Sequence, residues 1–348
     1  MILRTLLTFV IVAMVGLFTL KERPELLYTF LTSETLSELF SESKTTTEPA
    51  TPSPGLSLLP TLPFLSESRS LSATFQPMIR EYAARLSVPT AHASVIMDAN
   101  SGKVLYDRNA DDRRQIASLT KLFTALIIVE RVENLETLAT IDEEAVYSEG
   151  TRIGCPRSGY CPGVRFKVGE ELTVNDLLKA ALMQSANDAA IALGKHVGGT
   201  QEGFAKIMNE RAAELGLTDS LFCTPSGLEI DGAENSCYSS AHDIAIIASE
   251  ALKHPILWDI MKIEKTNIVS ADGTLTHEVF NTDELIGTMP NLVGTKTGFT
   301  PLAGYSLLAV ATDPSGEHPV IAVVLNDPYR WQSIQSMFDW SFESFDWI

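Results

Sequence analysis

The chain has 348 residues, of which 45% are hydrophobic, enough to bury a sizeable core. It carries 26 Lys and Arg against 44 Asp and Glu, a formal net charge of -18. Nucleic acid is a polyanion and is repelled by such a surface, so nucleic-acid binding is set aside.

The first element is a targeting segment. Arg4 precedes an uncharged run, Thr5 to Leu20, rich in Leu, Val, Ile and Phe, and Lys21, Glu22 and Arg23 end it. That run is shorter than the roughly 20 residues a spanning helix needs, yet no Ala-x-Ala-like cleavage site follows it. Residues 1–20 are therefore read as a membrane anchor or a cleaved signal peptide. Either places the remainder in the cell envelope, on the outer face of the cytoplasmic membrane, or secreted if the segment is removed. Residues 21–74 are dominated by Ser, Thr, Pro and Glu, a composition that cannot bury enough apolar surface to offset chain entropy. They are read as a disordered tether, which as a flexible coil spans roughly 40 Å.

The folded part is expected over 75–348. A helix is predicted from Pro77 to Leu86, then a hairpin of Ser94 to Met97 and Lys103 to Tyr106 around the Asp98 to Gly102 turn. Ser118 to Val132 reads as a helix apolar nearly all round, and so buried. Further helices are predicted at Val174–Gln184, Asp188–Val197, Gly203–Leu215 and Ala241–Lys253. Gly216 is placed to stop the third, and Ser240 with Asp243 to cap the fourth. Strand-like runs return at 262–269, 292–296, 305–310 and 320–325, and Arg330 to Phe345 closes the pattern as an amphipathic helix. Strands at both ends with helices between predict an α+β fold. Its antiparallel sheet is made by N- and C-terminal strands, with helices on both faces and an inserted all-helical subdomain.

Four cysteines, Cys155, Cys161, Cys223 and Cys237, permit three pairings. Closeness in sequence favours Cys155–Cys161 and Cys223–Cys237, with reduced buried thiols as the alternative. Neither pair has the spacing of a zinc site, the six histidines are scattered, and no metal is expected.

Three short motifs carry the chemistry: Ser118-Leu119-Thr120-Lys121, Ser185-Ala186-Asn187 and Lys296-Thr297-Gly298. Each alone has a plain structural reading, as a helix cap or a solvated strand end. Ser41-Glu42-Ser43-Lys44 repeats the first spacing inside the tether with no chemistry attached. Together and in order, the three supply a complete apparatus. Ser118 is a nucleophile once a base takes its proton. Lys121, one helical turn on, is that base if burial and a neighbouring ammonium, Lys296, keep it neutral. Ser185 can relay a proton to a leaving amine, the Asn187 amide can hold a substrate peptide group, and Thr297 can bind a substrate carboxylate. Gly298 lets a peptide approach the strand closely.

From about Ala91 onward the chain resembles the penicillin-binding, active-site-serine D-alanyl-D-alanine carboxypeptidases of the β-lactamase/DD-peptidase fold. The resemblance rests on the three motifs and on Met97 to Leu105, Ser185 to Ala190, Thr224 to Leu228 and Gly294 to Thr300. It implies that Ser118 attacks the D-Ala-D-Ala bond of a peptidoglycan stem peptide and that water then frees the acyl-enzyme. It implies further that β-lactam antibiotics acylate Ser118, that backbone N–H groups of Ser118 and Phe299 form the oxyanion hole, and that no cofactor is used. Thr282 stands where some relatives place a carboxylate-binding arginine, and Val293 replaces a frequent aspartate. The C-terminal β-rich domain of many relatives is not expected after the closing helix. The alternative readings are a DD-endopeptidase cutting cross-links, a β-lactamase and a non-enzymatic β-lactam sensor. A β-lactamase of class A is disfavoured because no Glu-x-x-x-Asn element lies between Asn187 and Lys296.

Overall fold

A computed structural model describes residues 76–155, 160–230, 233 and 236–348, all within the second of the chain's two units, Ser68–Ile348. The expected anchor, 1–20, and tether, 21–74, lie outside the described residues. Among the described residues no helix is long and apolar enough to cross a membrane.

The centre is a five-stranded antiparallel sheet in which the two ends of the domain meet. Strands β2 (Ala93–Asp98) and β3 (Val104–Arg108) form the predicted hairpin, and β8 (Leu292–Thr300), β9 (Gly304–Thr312) and β10 (Pro319–Leu325) come from the far end. The order is β3-β2-β10-β9-β8, with β2 paired to β10 from Ala93↔Leu325 to Asp98↔Val320. Successive strand residues point to opposite faces, so the sheet feeds two cores. Val95, Met97, Val310, Ile321 and Val323 join the helical core, while Ile96, Ala309, Val320, Ala322 and Val324 pack under the closing helix α8 (Arg330–Ser344) through Ile334, Met337 and Phe338.

Between the strand groups lies the helical part. Helix α1 (Thr120–Arg131) is buried along nearly its whole length, with Leu122, Phe123, Leu126, Ile127 and Ile128 at most 1% exposed. The short pair β4 (Leu138–Thr140) and β5 (Glu171–Thr173) brackets the brief helix α2 (Glu143–Val146). Around α1 come α3 (Val174–Met183), α4 (Asn187–Gly198), α5 (Gln201–Glu214) and α6 (Ala241–Ala251). Gly216 ends α5's last turn at φ +74°, and Ser240 caps α6 by accepting from the Asp243 N–H at 3.0 Å.

Three expectations are corrected. Residues 77–86 form no helix. Pro77–Ile79 is strand β1, paired with β11 (Phe345–Trp347), and Arg80 reaches Asp346 through Nε at 3.1 Å and Nη2 at 2.7 Å. A helix that short is marginal by itself, so pairing with the distant C-terminus wins. The same pairing cuts the closing helix one residue short, at Ser344. The run expected to be extended from 262 begins as strand only at β6 (Lys265–Val269), which pairs with β7 (Thr276–Phe280). An unforeseen helix α7 (Pro255–Met261), opened by Pro255 in its first turn, reaches Lys262 as its cap.

Two disulfides are present, Cys155–Cys161 and Cys223–Cys237. The second ties the segment after α5 to the chain entering α6. Phe222 beside it lies against Phe123 of α1, with ring centroids 4.7 Å apart. Phe123→Ala should lower unfolding stability by about 3–5 kcal/mol, read from the urea midpoint. A loss below about 1 kcal/mol contradicts this packing.

Candidate active site

Ser118 sits in a short 3₁₀ turn, Ala117–Leu119, that leads directly into α1. Ala117 takes φ +51°, a left-handed conformation unusual for alanine. Two glycines hold the turn from opposite sides. A Cβ on Gly227 would stand 2.1 Å from the Ala117 carbonyl oxygen, and one on Gly298 would stand 2.8 Å from that of Ile116. The close approach that Gly298 permits is thus that of the serine turn itself against β8, a stricter demand than the open strand end read from sequence. The Ser118 side chain makes no capping bond; it lines the cleft.

One turn along, Lys121 is fully buried, and its Nζ lies 2.9 Å from Ser118 Oγ, 2.6 Å from Asn187 Oδ1 and 2.7 Å from the Ser226 carbonyl oxygen. Two of these partners only accept hydrogen bonds. A neutral amine satisfies the set completely, giving its two N–H to the carbonyl oxygens and turning its lone pair to the Ser118 hydroxyl. Burial holds the Lys121 pKa well below the usual lysine value, and the like charge of Lys296 adds to this, against an opposing pull from Asp188.

The second motif is held in a strained loop between α3 and α4. Ser185 takes φ +61°, which turns its hydroxyl to accept from Lys296 Nζ at 3.0 Å. Asn187 opens α4 without capping it. Its Oδ1 accepts a hydrogen bond from Lys121 Nζ, its Nδ2 donates to the Glu149 carbonyl at 2.7 Å, and its backbone N–H to that of Thr151 at 2.8 Å. Lys296 is 1% exposed, and its Nζ also donates to the Thr297 carbonyl at 3.1 Å. Burial lowers its pKa to about 7, helped by the charge of Arg330 and opposed by Asp283.

The motifs converge on one cleft with a volume of about 740 Å³, lined among others by Ser118, Ser185, Thr297, Gly298 and Phe299. Lys121, Lys296 and Asn187 stand behind its wall. β8 is the last strand of the sheet, and Thr297, Gly298 and Phe299 on it border the cleft. Phe299 packs on Tyr305, centroids 4.5 Å apart. Gly154 and Pro162 to Val164, on either side of the Cys155–Cys161 disulfide, also line the cleft. Cys223–Cys237 encloses Ser226 and Gly227, the acceptor for Lys121 and the support of the serine turn.

Three further residues come into play that the motifs did not flag. Arg330, at the start of α8, donates from Nη1 to the Gly298 and Ser306 carbonyls at 3.2 Å each and lines the cleft. It brings positive charge to the third motif from 34 positions away in the chain, with no local pattern to announce it. Asp188, fully buried, has its pKa raised to about 7 by burial and accepts from the Ile153 N–H at 3.0 Å. Its place beside Asn187 was the only hint. Thr282 shares a 2.8 Å hydrogen bond with Thr297, hydroxyl to hydroxyl. Val293, by contrast, is partly buried against the helical core and takes no part in the cleft. Among the described residues no group of His, Cys, Asp and Glu is placed to hold a metal ion.

The Lys296 charge carries a stability cost with a definite pH dependence. Folded Lys296 titrates near 7 and an unfolded lysine near about 10.4, so between those values the unfolded chain binds more protons and stability rises with pH. Below about pH 7 both states hold the proton and the full cost is present. Lys296→Met should therefore be more stable than the parent at pH 6, by on the order of 1–4 kcal/mol, with the difference shrinking toward pH 10. Equal stability at both pH values in urea titrations contradicts a buried, depressed Lys296.

Residues 81–329 match the peptidase S11 family, described as D-alanyl-D-alanine carboxypeptidase. The chain is similar to the D-alanyl-D-alanine carboxypeptidase DacF of Bacillus subtilis, 33% identical over 74% of this chain and 63% of that protein. It is also similar to a D-alanyl-D-alanine endopeptidase of Pseudomonas aeruginosa, 31% identical over 67% of this chain and 70% of that one. Among solved structures, penicillin-binding protein D2 of Listeria monocytogenes in its ampicillin-bound form superposes with a TM-score of 0.60 at 27% identity, covering 74% of this chain and all of that one. The chain spans less than two thirds of the length of the first curated carboxypeptidases it matches. The matched segment holds all three motifs and, Arg330 apart, the lining of the cleft they build, and the chain belongs to the D-alanyl-D-alanine carboxypeptidase family, peptidase S11.

Proposed function

We propose that this protein is a serine-type D-Ala-D-Ala carboxypeptidase that removes the terminal D-Ala from peptidoglycan stem peptides through an acyl-enzyme on Ser118. The observation that carries the reading is the environment of Lys121. Its amine is buried, faces two carbonyl oxygens and has its remaining position turned to Ser118 Oγ at 2.9 Å. In that state it takes the hydroxyl proton as Oγ attacks the carbonyl carbon of the penultimate D-Ala.

The remaining steps are assigned to other groups of the same cleft. Backbone N–H groups of Ser118 and Phe299 receive the oxyanion, a contribution worth about 10²–10³ in rate per donor in other acyl-transfer enzymes. Ser185, bonded to Lys296, passes a proton to the leaving amine. Thr297 holds the leaving residue's carboxylate, and the charge of Arg330 behind β8 favours it there. The outer edge of β8 holds the acyl side of the peptide, while the Asn187 amide, set behind the wall, orients Lys121. Water then attacks the ester and restores the Ser118 hydroxyl. Penicillins, as acylating mimics of D-Ala-D-Ala, enter the same route; the solved relative with ampicillin bound supports this.

We place the domain in the cell envelope, held to the outer face of the cytoplasmic membrane by Thr5 to Leu20 and spaced from it by residues 21–74. The apolar run, the Ser/Thr/Pro-rich stretch and two disulfides, which persist in oxidising compartments, support the placement. A second reading, DD-endopeptidase, is favoured by Thr282 standing in place of an arginine and by the endopeptidase relatives.

Ser118→Ala should abolish both covalent labelling by fluorescent penicillin and release of D-Ala from a pentapeptide, by at least about 10³-fold. Labelling that survives in this variant places the nucleophile elsewhere.

A further inference from the structure

A buried ion pair stands behind the cleft lining. His277 on β7 is fully buried, with Nε2 2.6 Å from Glu170 Oε1 and Nδ1 2.9 Å from the Val164 carbonyl oxygen. Glu170 is held in turn, its Oε2 accepting from the Lys167 N–H at 2.9 Å. The buried ring of Phe166 stands nearly perpendicular to the imidazole, centroids 4.9 Å apart. An acceptor at each ring nitrogen fits the doubly protonated imidazolium. Burial disfavours that charge, but the bonds to Glu170 and to the Val164 carbonyl outweigh it and raise the His277 pKa above the ordinary histidine value. Asp188 of α4, which itself titrates near about 7, adds a weaker pull in the same direction. Arg165, Lys167 and Glu171 on the neighbouring segments are exposed. Glu278 and Lys265 of the β6–β7 hairpin pair with each other at 2.6 Å, Glu278 on the exposed face of β7.

The pair joins two parts of the cleft lining. Thr276, Glu278 and Phe280 of β7 line the cleft, and so does Val164. β7 is fixed independently of the histidine. It is laddered to β6, with Ile268 opposite His277. Its Phe280 N–H donates to Gln184 Oε1 at 3.4 Å, and the Thr282 N–H just beyond donates to the Met183 carbonyl at 3.0 Å. Both acceptors lie within two residues of Ser185, so β7 is in register with the catalytic loop. Through His277, the Val164 segment is placed against that frame.

We propose that His277 is a positioning residue for the acyl-transfer reaction: as the imidazolium it holds the Val164 segment against β7 and so sets the width of the cleft that Ser118 and Ser185 line. The inference rests on the acyl-enzyme reading above, because the cleft it shapes is the one assigned there to the peptide. Loss of one proton acts on one side only. The Glu170 carboxylate retains the remaining N–H, so Nδ1 turns a lone pair toward the Val164 carbonyl and a bond becomes a repulsion. β7 keeps its ladder with β6, and the Val164 side loosens. The hold is complete below the His277 pKa and is lost as pH rises through it, so the cleft binds a peptide less tightly at high pH.

The test measures KM and kcat for D-Ala release from a pentapeptide by the full-length chain at pH 6 and pH 10, beside labelling by fluorescent penicillin. His277→Gln retains a donor and carries no charge. It should raise KM at least about fivefold at pH 6, with kcat within about twofold of the parent. At pH 10, where the parent has lost the same proton, the ratio of variant to parent KM should fall below about two. Lys121 and Lys296 titrate in both chains and cancel from that ratio. Glu170→Gln should lower the His277 titration, followed by nitrogen-15 NMR of the imidazole, by at least about one pH unit, and the rise in KM should move to lower pH with it. A KM ratio equal at both pH values is that of a merely structural histidine and overturns the inference. If His277→Gln takes no penicillin label, Glu170→Gln decides: a KM rise that moves with the titration supports the inference, and one that stays in place overturns it. A parent chain that takes no label defeats the acyl-enzyme reading, and this inference with it.

Discussion

Removing a lysine ammonium from water costs several kcal/mol unless a counter-charge accompanies it, and this cleft buries two. Lys121 and Lys296 are each at most 1% exposed. The carboxyl that pulls Lys121 back toward the charged form, Asp188, is itself buried and shifted up to about 7, and so is a weak counter-ion at neutral pH. The least costly state for Lys121 is the neutral amine, whose two N–H groups its two carbonyl partners can still accept. A stability penalty thereby becomes a base: the energy that disfavours the ammonium is what lets the amine take a proton from Ser118.

The surrounding structure keeps that geometry against local strain. Ala117 and Ser185 both occupy left-handed backbone conformations, and such residues persist only where neighbours over-determine them. Gly227 and Gly298 press the serine turn from two sides with backbone atoms, which cannot yield as side chains do. The Cys223–Cys237 bridge holds the segment that supplies both Gly227 and the Ser226 carbonyl. Stability is recovered away from the cleft, in a sheet that feeds two cores and in an α1 helix that has almost no exposed apolar residue.

What could be read in advance follows the range of the forces involved. The hairpin, α3 to α6 and β8 to β10 announce themselves through local periodicity and caps, as with Ser240 and Gly216. The order of the three motifs was enough to mark the cleft. Elements made by distant pairing leave no local pattern: Pro77–Ile79 is a strand only because Phe345–Trp347 lies beside it. Arg330 reaches the third motif because α8 packs across β9 and β10, which no local pattern encodes. His277 and Glu170 likewise lie 107 positions apart and meet only in the fold. Thr282 stands out in the sequence as a departure, but its bond to Thr297 exists only in the fold.

The central claim is that Lys121 is neutral in the resting site. Carbon-13 NMR of the lysine Cε resonances follows this directly, with Lys121→Ala assigning the signal. The account predicts that the Lys121 resonance has the shift of an uncharged amine at pH 7 and takes up its proton only on acidification. A Lys121 that remains an ammonium up to pH 10 contradicts it.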